Sequence, residues 1–199
     1  MQALRIIRDE HRSLAAVLHG MLHLVRDIRD RGARPDFSVL GAMLYYIDAF
    51  PERFHHPKED RYLFKFLRAR CSESHALLDR LEWEHGAGAV KIQLLAQTLA
   101  RYQQGGEPEF GAFAAAVESF ANLVWNHMRC EEQEILPLAE KHLLPEDWEA
   151  IDAAFAGHTD PLFGLEADHT YQQLFRRVVN LAPPSISLGL IRGAPAAPG

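Results

Sequence analysis

Apolar residues recur at alternating spacings of three and four along four long stretches of this 199-residue chain, and that regularity restricts it to a helical architecture. The first stretch, about Ala3 to Arg31, sets Leu4, Ile7, His11, Leu14, Leu18, Met21, Val25 and Ile28 on one stripe. The second, about Phe37 to Arg70, carries Leu40, Leu44, Ile47, Phe54, Tyr62 and Phe66, and Pro51 and Pro57 predict a kink or a restart within it. The third, about Ser72 to Gln104, runs through Leu78, Leu81, His85, Gly88, Ile92, Leu95, Leu99 and Tyr102. The fourth, about Glu109 to His142, runs through Phe110, Phe113, Val117, Phe120, Val124, His127, Glu131 and Leu138. Pro145, followed by Glu146 and Asp147, opens a short helix with Trp148, Ile151 and Phe155 on its apolar face. Another amphipathic piece spans about Glu166 to Asn180. Strand alternation and internal repeats are missing from the pattern. Long helices with short loops predict an all-α, up-down-up-down four-helix bundle with short C-terminal capping helices. The expected organisation is a bundle over 1–143, a helical extension packed on it over 144–181, and a Pro/Gly-rich tail over 182–199.

Composition narrows the function. A net charge of −6 leaves no basic footprint for nucleic acid. No apolar run reaches the ~20 residues of a membrane span, and the charged start at Met1 to Arg5 predicts no signal peptide. Two cysteines, Cys71 and Cys130, build no disulfide framework and fit a reducing compartment, so a cytoplasmic protein is expected. The unusual count is 11 histidines.

Each long helix carries one histidine on its apolar stripe: His11, His55, His85 and His127. His55 is followed four residues later by Glu59, and His127 by Glu131, a spacing that stacks both members on one helical face. Glutamate is almost never fully buried unless it is paired or bound to a metal. Helical rise shows that the groups can meet. His11 lies about 19 residues, roughly 28 Å, before the end of its helix, and the same walk into the second helix arrives at His55 and His56. Those lie about 14 residues before that helix ends, and about 14 residues into the third falls close to His85. From His85 to the end of its helix and back into the fourth is about 19 residues each way, which lands at His127. Four imidazoles and two carboxylates at one level of a bundle make a metal site. The nitrogen and oxygen set favours iron or manganese over a thiolate zinc site, and two carboxylates on opposite helices suit a dinuclear centre.

The segments Asp9-Glu10-His11, His55-His56-Pro57-Lys58-Glu59-Asp60, Glu84-His85 and His127-Met128-Arg129-Cys130-Glu131-Glu132, with Leu136-Pro137 after the last, resemble the hemerythrin-like (HHE cation-binding) family over about residues 5 to 145. The resemblance implies two irons per chain, carboxylate- and oxo/hydroxo-bridged, held by His11, His55, His85 and His127 with Glu59 and Glu131 bridging; manganese or zinc are the alternative metals. It also implies an oxygen, nitric oxide or iron binder or sensor. The oxygen carriers of that family place two histidines four apart on the third helix, where this chain has Leu81 before His85. They also set the last carboxylate five residues after its histidine, which selects Glu132 over Glu131. His56, Glu132 or water would then complete the site, and reversible oxygen carriage is not the expected role.

The leading expectation is therefore a binding or sensing module with an open metal position for a diatomic ligand or anion. A ferritin-like di-iron oxidase is the alternative, since Glu52-Arg-Phe-His55 and Glu82-Trp-Glu-His85 match the Glu-x-x-His spacing of such sites. A bundle with a structural metal is the third reading, with Leu188, Leu190 and Ile191 suiting an arm in a homodimer. His19 and His23 are expected at a boundary or in solvent, His75, His142 and His169 on the surface, and His158 in a turn. Trp83, Trp125, Tyr45 and Tyr46 are expected to pack, and Cys130 to be a small buried hydrophobe.

Overall fold

Capping and proline chemistry set the ends of the helices. A computed structural model describes residues 1–157, 160–162, 176 and 178, and those residues contain helices and no strands. Helix α1 is Gln2–Arg31. It stops at Gly32, whose φ of 62° is the left-handed conformation glycine adopts most cheaply. Helix α2 covers 37–70 and begins at Asp36, whose carboxylate accepts the Val39 N–H at 3.1 Å, a cap worth about 1 kcal/mol. A short 3₁₀ turn, Ser72–Ser74, leads into α3, His75–Gly105. Helix α4 covers 107–142, and α5 is Pro145–Ala156. The expected piece at Glu166 to Asn180, the tail over 182–199, and His158 and His169 lie outside the described residues, apart from Arg176 and Val178.

The four long helices pack in a ring, α1 on α2 and α4, and α3 on α2 and α4. Helix α5 lies along α1, tied by the Ala3 N–H to Asp152 at 2.7 Å, and Arg70 at the end of α2 pairs with Asp147 at 3.0 Å. Buried apolar side chains form two separate clusters. One contains Leu18, Met21, Leu40, Met43, Leu95 and Phe113; the other contains Ile7, Leu63, Phe64, Leu81, Ile151 and Phe155. Between them runs a polar layer in which Glu10, His11, His55, Glu59, His85, His127 and Glu131 are all buried.

The stripes on α1, α3 and α4 point inward as their spacing predicts, with every predicted position of α3 buried. Helix α2 does not break at its prolines. It continues through wide π turns at Asp48–His55 and Glu59–Phe64, with short α segments His56–Lys58 and Lys65–Arg70 between and after them. A π turn takes up an extra residue, so the inward face slips. Phe54 and Tyr62, expected inside, are 42% and 37% exposed, and Leu63, Phe64 and Leu67 fill the core instead. Helix α4 has one such turn, Glu131–Ile135, just before Pro137. A second correction concerns Trp83, which is 69% exposed with the Lys91 ammonium 5.5 Å from its ring centroid. Its helix turns Leu81 and His85 inward, which leaves position 83 on the outer face. Among the described residues no helix is long and apolar enough to cross a membrane.

Candidate metal centre

The six residues expected to meet do meet. His11 Nε2 and His55 Nε2 stand 3.2 Å apart, and His85 Nε2 and His127 Nε2 stand 2.9 Å apart. The two glutamates lie between these pairs, and each turns one oxygen to each side. Glu59 Oε1 is 3.2 Å from His55 Nε2, while its Oε2 is 3.6 Å from His85 Nε2. Glu131 Oε2 is 3.3 Å from His11 Nε2, while its Oε1 is 3.2 Å from His127 Nε2 and 3.7 Å from His85 Nε2. Between Glu131 and Glu132, the buried one in the layer is Glu131; Glu132 is 41% exposed.

Glu132 has a different task. Its Oε1 lies 2.8 Å from His11 Nδ1, Glu10 Oε2 lies 2.6 Å from His55 Nδ1, Asp60 Oδ1 lies 2.7 Å from His85 Nδ1, and Glu84 Oε2 lies 2.7 Å from His127 Nδ1. The pattern is cyclic: α1 grips the histidine of α2, α2 that of α3, α3 that of α4, and α4 that of α1. A carboxylate on Nδ1 fixes the tautomer and turns the Nε2 lone pair toward the centre. Each gripping residue sits beside an inward one in sequence, Glu10 with His11, Asp60 with Glu59, Glu84 with His85 and Glu132 with Glu131. That adjacency is visible in the sequence, but its purpose is not, because neighbouring helical residues point in different directions.

Electrostatics show how much positive charge the layer invites. Burial opposes charging His11, yet Glu131 and Glu132 outweigh it and hold its pKa up at about 9. Burial also opposes charge on His85, where Asp60 and Glu131 prevail and raise it to about 10. His55 and His127 are raised against the same burial cost, His55 chiefly by Glu59 and Glu10, His127 by Glu131. Burial pushes Glu131 up, but His127, His11 and His85 together hold it well below the usual carboxylate range. His56 behaves oppositely: burial and the neighbouring imidazoles depress it well below the ordinary value, so it keeps its lone pair. Burial lifts Glu52 to about 7.

The donor set fits bound metal on three grounds. All four carboxylate oxygens of Glu59 and Glu131 are buried and accept no hydrogen bond, which proteins avoid unless something else satisfies them. The Nε2 pairs have the separation, about 3 Å, that two nitrogens bound at right angles to one ion about 2.1 Å away would have. Ligand-type atoms of His11, His55 and Glu59 cluster within 4.8 Å of one another, as do those of His56, Glu59, His85 and His127.

The hemerythrin HHE cation binding domain matches residues 2–139. The chain belongs to this family. No curated protein and no solved structure matches it. The HHE match spans α1 to α4 up to Ala139, so it contains the whole histidine and glutamate layer and implies a four-helix bundle and a cation site. Of the residues outside that layer, the exposed His19 ring lies 4.9 Å from the Trp125 ring and tilted to it, half-buried His23 meets Asp27 at 3.3 Å, and exposed His75 reaches the Arg68 carbonyl at 2.9 Å. Partly buried His142 joins Cys71 and Glu73 in a separate donor cluster. Cys130 is buried and accepts from the Arg80 guanidinium at 2.7 Å. Of the two Glu-x-x-His matches, Glu82 faces away from the HHE layer and pairs with Arg68 at 2.9 Å, while Glu52 lies near His56.

Proposed function

We propose that the chain binds two iron ions in the polar layer, with His11, His55, Glu59, His85, His127 and Glu131 as ligands, and that one position on this centre takes up a small diatomic ligand such as oxygen or nitric oxide, or a small anion. The observation that carries the reading is that each buried glutamate directs one oxygen to each imidazole pair, which is what two ions sharing two carboxylates require. Bound iron supplies the electrons and the open coordination needed to hold such a ligand. The protein's residues hold the ions, keep the Nε2 atoms turned inward through the four outer carboxylates, and exclude water with the apolar clusters on both sides.

Two small cavities adjoin the imidazole pairs. A cavity of about 20 Å³ adjoins His11 and His55 and is lined by Leu14, Tyr46, Phe50 and Phe54, and one of about 30 Å³ adjoins His56, His85 and His127. Each admits a molecule the size of water or dioxygen. A ferritin-like oxidase site would call on Glu82, which faces away from the layer and pairs with Arg68 at 2.9 Å. The binding or sensing reading is therefore preferred.

The test is anaerobic reconstitution with ferrous iron, metal analysis, and spectra after air and azide. About two irons per chain, with absorption bands that respond to azide, are expected. Protein that takes up one metal or none, or that prefers manganese over iron in competition, would overturn the assignment.

A further inference from the structure

The two halves of the layer are unequal. His11 and His55 face each other, but beside His85 and His127 lies a third ring, His56. A nitrogen of His56 lies within 4.8 Å of donor atoms on Glu59, His85 and His127. Its side chain is only 14% exposed, and its Nδ1 is buried without a hydrogen bond. The ring lies against His85 with centroids 4.1 Å apart and planes 11° apart, and 5.5 Å from the His127 ring. One turn before His85, Leu81 is apolar and fully buried.

A carboxylate also faces His56: Glu52 Oε1 stands 3.5 Å from its Nδ1, farther than the 2.6–2.8 Å at which Glu10, Asp60, Glu84 and Glu132 hold their rings. Glu52 can occupy this place because the α3 residue facing it is glycine: a Cβ at Gly88 would stand 2.6 Å from Glu52 Oε1. The adjoining cavity of about 30 Å³ is lined by Glu52, His56, His85, Gly88 and His127.

Resting on the two-iron reading above, we propose that His56 is a fifth imidazole ligand, bound to the ion held by His85 and His127, and that Glu52, seated in the space Gly88 leaves, positions it.

The experiment compares wild type with H56A, H56Q and G88A after loading with ⁵⁷Fe, using Mössbauer spectra and the rate of iron release to a ferrous chelator. In wild type two distinguishable iron environments are expected. In H56A and H56Q one environment changes and one iron leaves at least tenfold faster, and imidazole added to H56A restores retention. G88A displaces only the end of a flexible side chain and favours the helix, so it folds, and it should speed release of the same iron by a smaller factor. If wild type holds two irons and both His56 variants keep wild-type spectra and release rates, the fifth-ligand assignment is wrong and the two-iron reading stands. If G88A matches wild type while H56A does not, the role given to Glu52 is wrong. If wild type holds no iron, both readings fail together.

Discussion

Helices α2 and α4 differ from α1 and α3 in winding, and the difference tracks what each contributes. Helices α1 and α3 are regular α-helix through the polar layer, contain no proline, and each presents one of the paired histidines. Helices α2 and α4 each present a histidine and an inward glutamate, and both unwind into π turns there, Asp48–His55 and Glu59–Phe64 in one, Glu131–Ile135 in the other. Pro57 and Pro137 follow two of these turns. A proline within a helix offers no N–H and crowds the carbonyl four residues earlier, and widening the preceding turn relieves that crowding. In this bundle the widened turns coincide with the places where a carboxylate enters the core. Wide turns of this kind often mark functional sites.

The largest expected effect separates the two kinds of helix by what each loses. Glu131→Gln on α4 keeps the shape but removes a group that faces both imidazole pairs, so retained iron should fall from about two per chain to well under one. His85→Ala on α3 removes a donor from one side only and should leave about one iron. Metal analysis after desalting decides it. Equal losses in the two variants would mean that Glu131 does not span the centre.

The outer carboxylates should matter less. Glu84→Gln leaves every donor in place but weakens the grip on His127, and losses of this type cost about 10–100-fold in metal affinity. Competition against a chelator of known affinity measures it. An unchanged affinity would show that the cyclic grip between helices is a feature of the packing alone.

These contrasts also explain what was legible in the sequence. The level of His11, His55, His85 and His127 could be read because helical rise converts residue counts into depth and loops add little error over four helices. The i,i+4 pairs His55–Glu59 and His127–Glu131 could be read because that spacing keeps two residues together even through a slightly widened turn. The winding of α2 could not. Prolines signal a disturbance without saying whether the chain breaks or widens, and the one-residue slip decided that Leu63 and Phe64, not Tyr62, would face inward. Glu52 was read only as part of an oxidase motif, since its place depends on Gly88 of another helix lacking a side chain.

Proton binding gives a smaller, signed effect. A histidine whose folded pKa lies above its ordinary 6.5 stabilises the fold fully below that pH, and the contribution disappears as pH rises through the folded value, about 9 for His11 and about 10 for His85. The metal-free protein should therefore melt at progressively lower temperature from pH 6.5 to 10. Iron-loaded protein, whose imidazoles carry metal in place of protons, should show a flatter profile. Melting curves followed by circular dichroism across that range distinguish the two; a metal-free profile that is flat or rising would contradict the protonation pattern in the layer.

The smallest effect tests whether proline makes the wide turn of α4. Pro137 is exposed, so Pro137→Ala opens no cavity and restores an N–H facing the carbonyl of Gln133. Proline costs about 3 kcal/mol relative to alanine in a helix interior, and the π turn already relieves part of that cost. A gain of about 1 kcal/mol in the metal-free protein would raise its melting temperature by roughly 2–4 °C. If the proline maintains the π turn, the freed segment can wind as ordinary α-helix, Glu131 shifts relative to His11 and His127, and iron leaves faster even though the apoprotein is more stable. A variant that gains stability and holds iron like wild type would mean that the contacts of Glu131 set the turn and Pro137 only tolerates it. In that case α2 and α4 differ from α1 and α3 because of the glutamates they carry, and their prolines are a consequence of the winding.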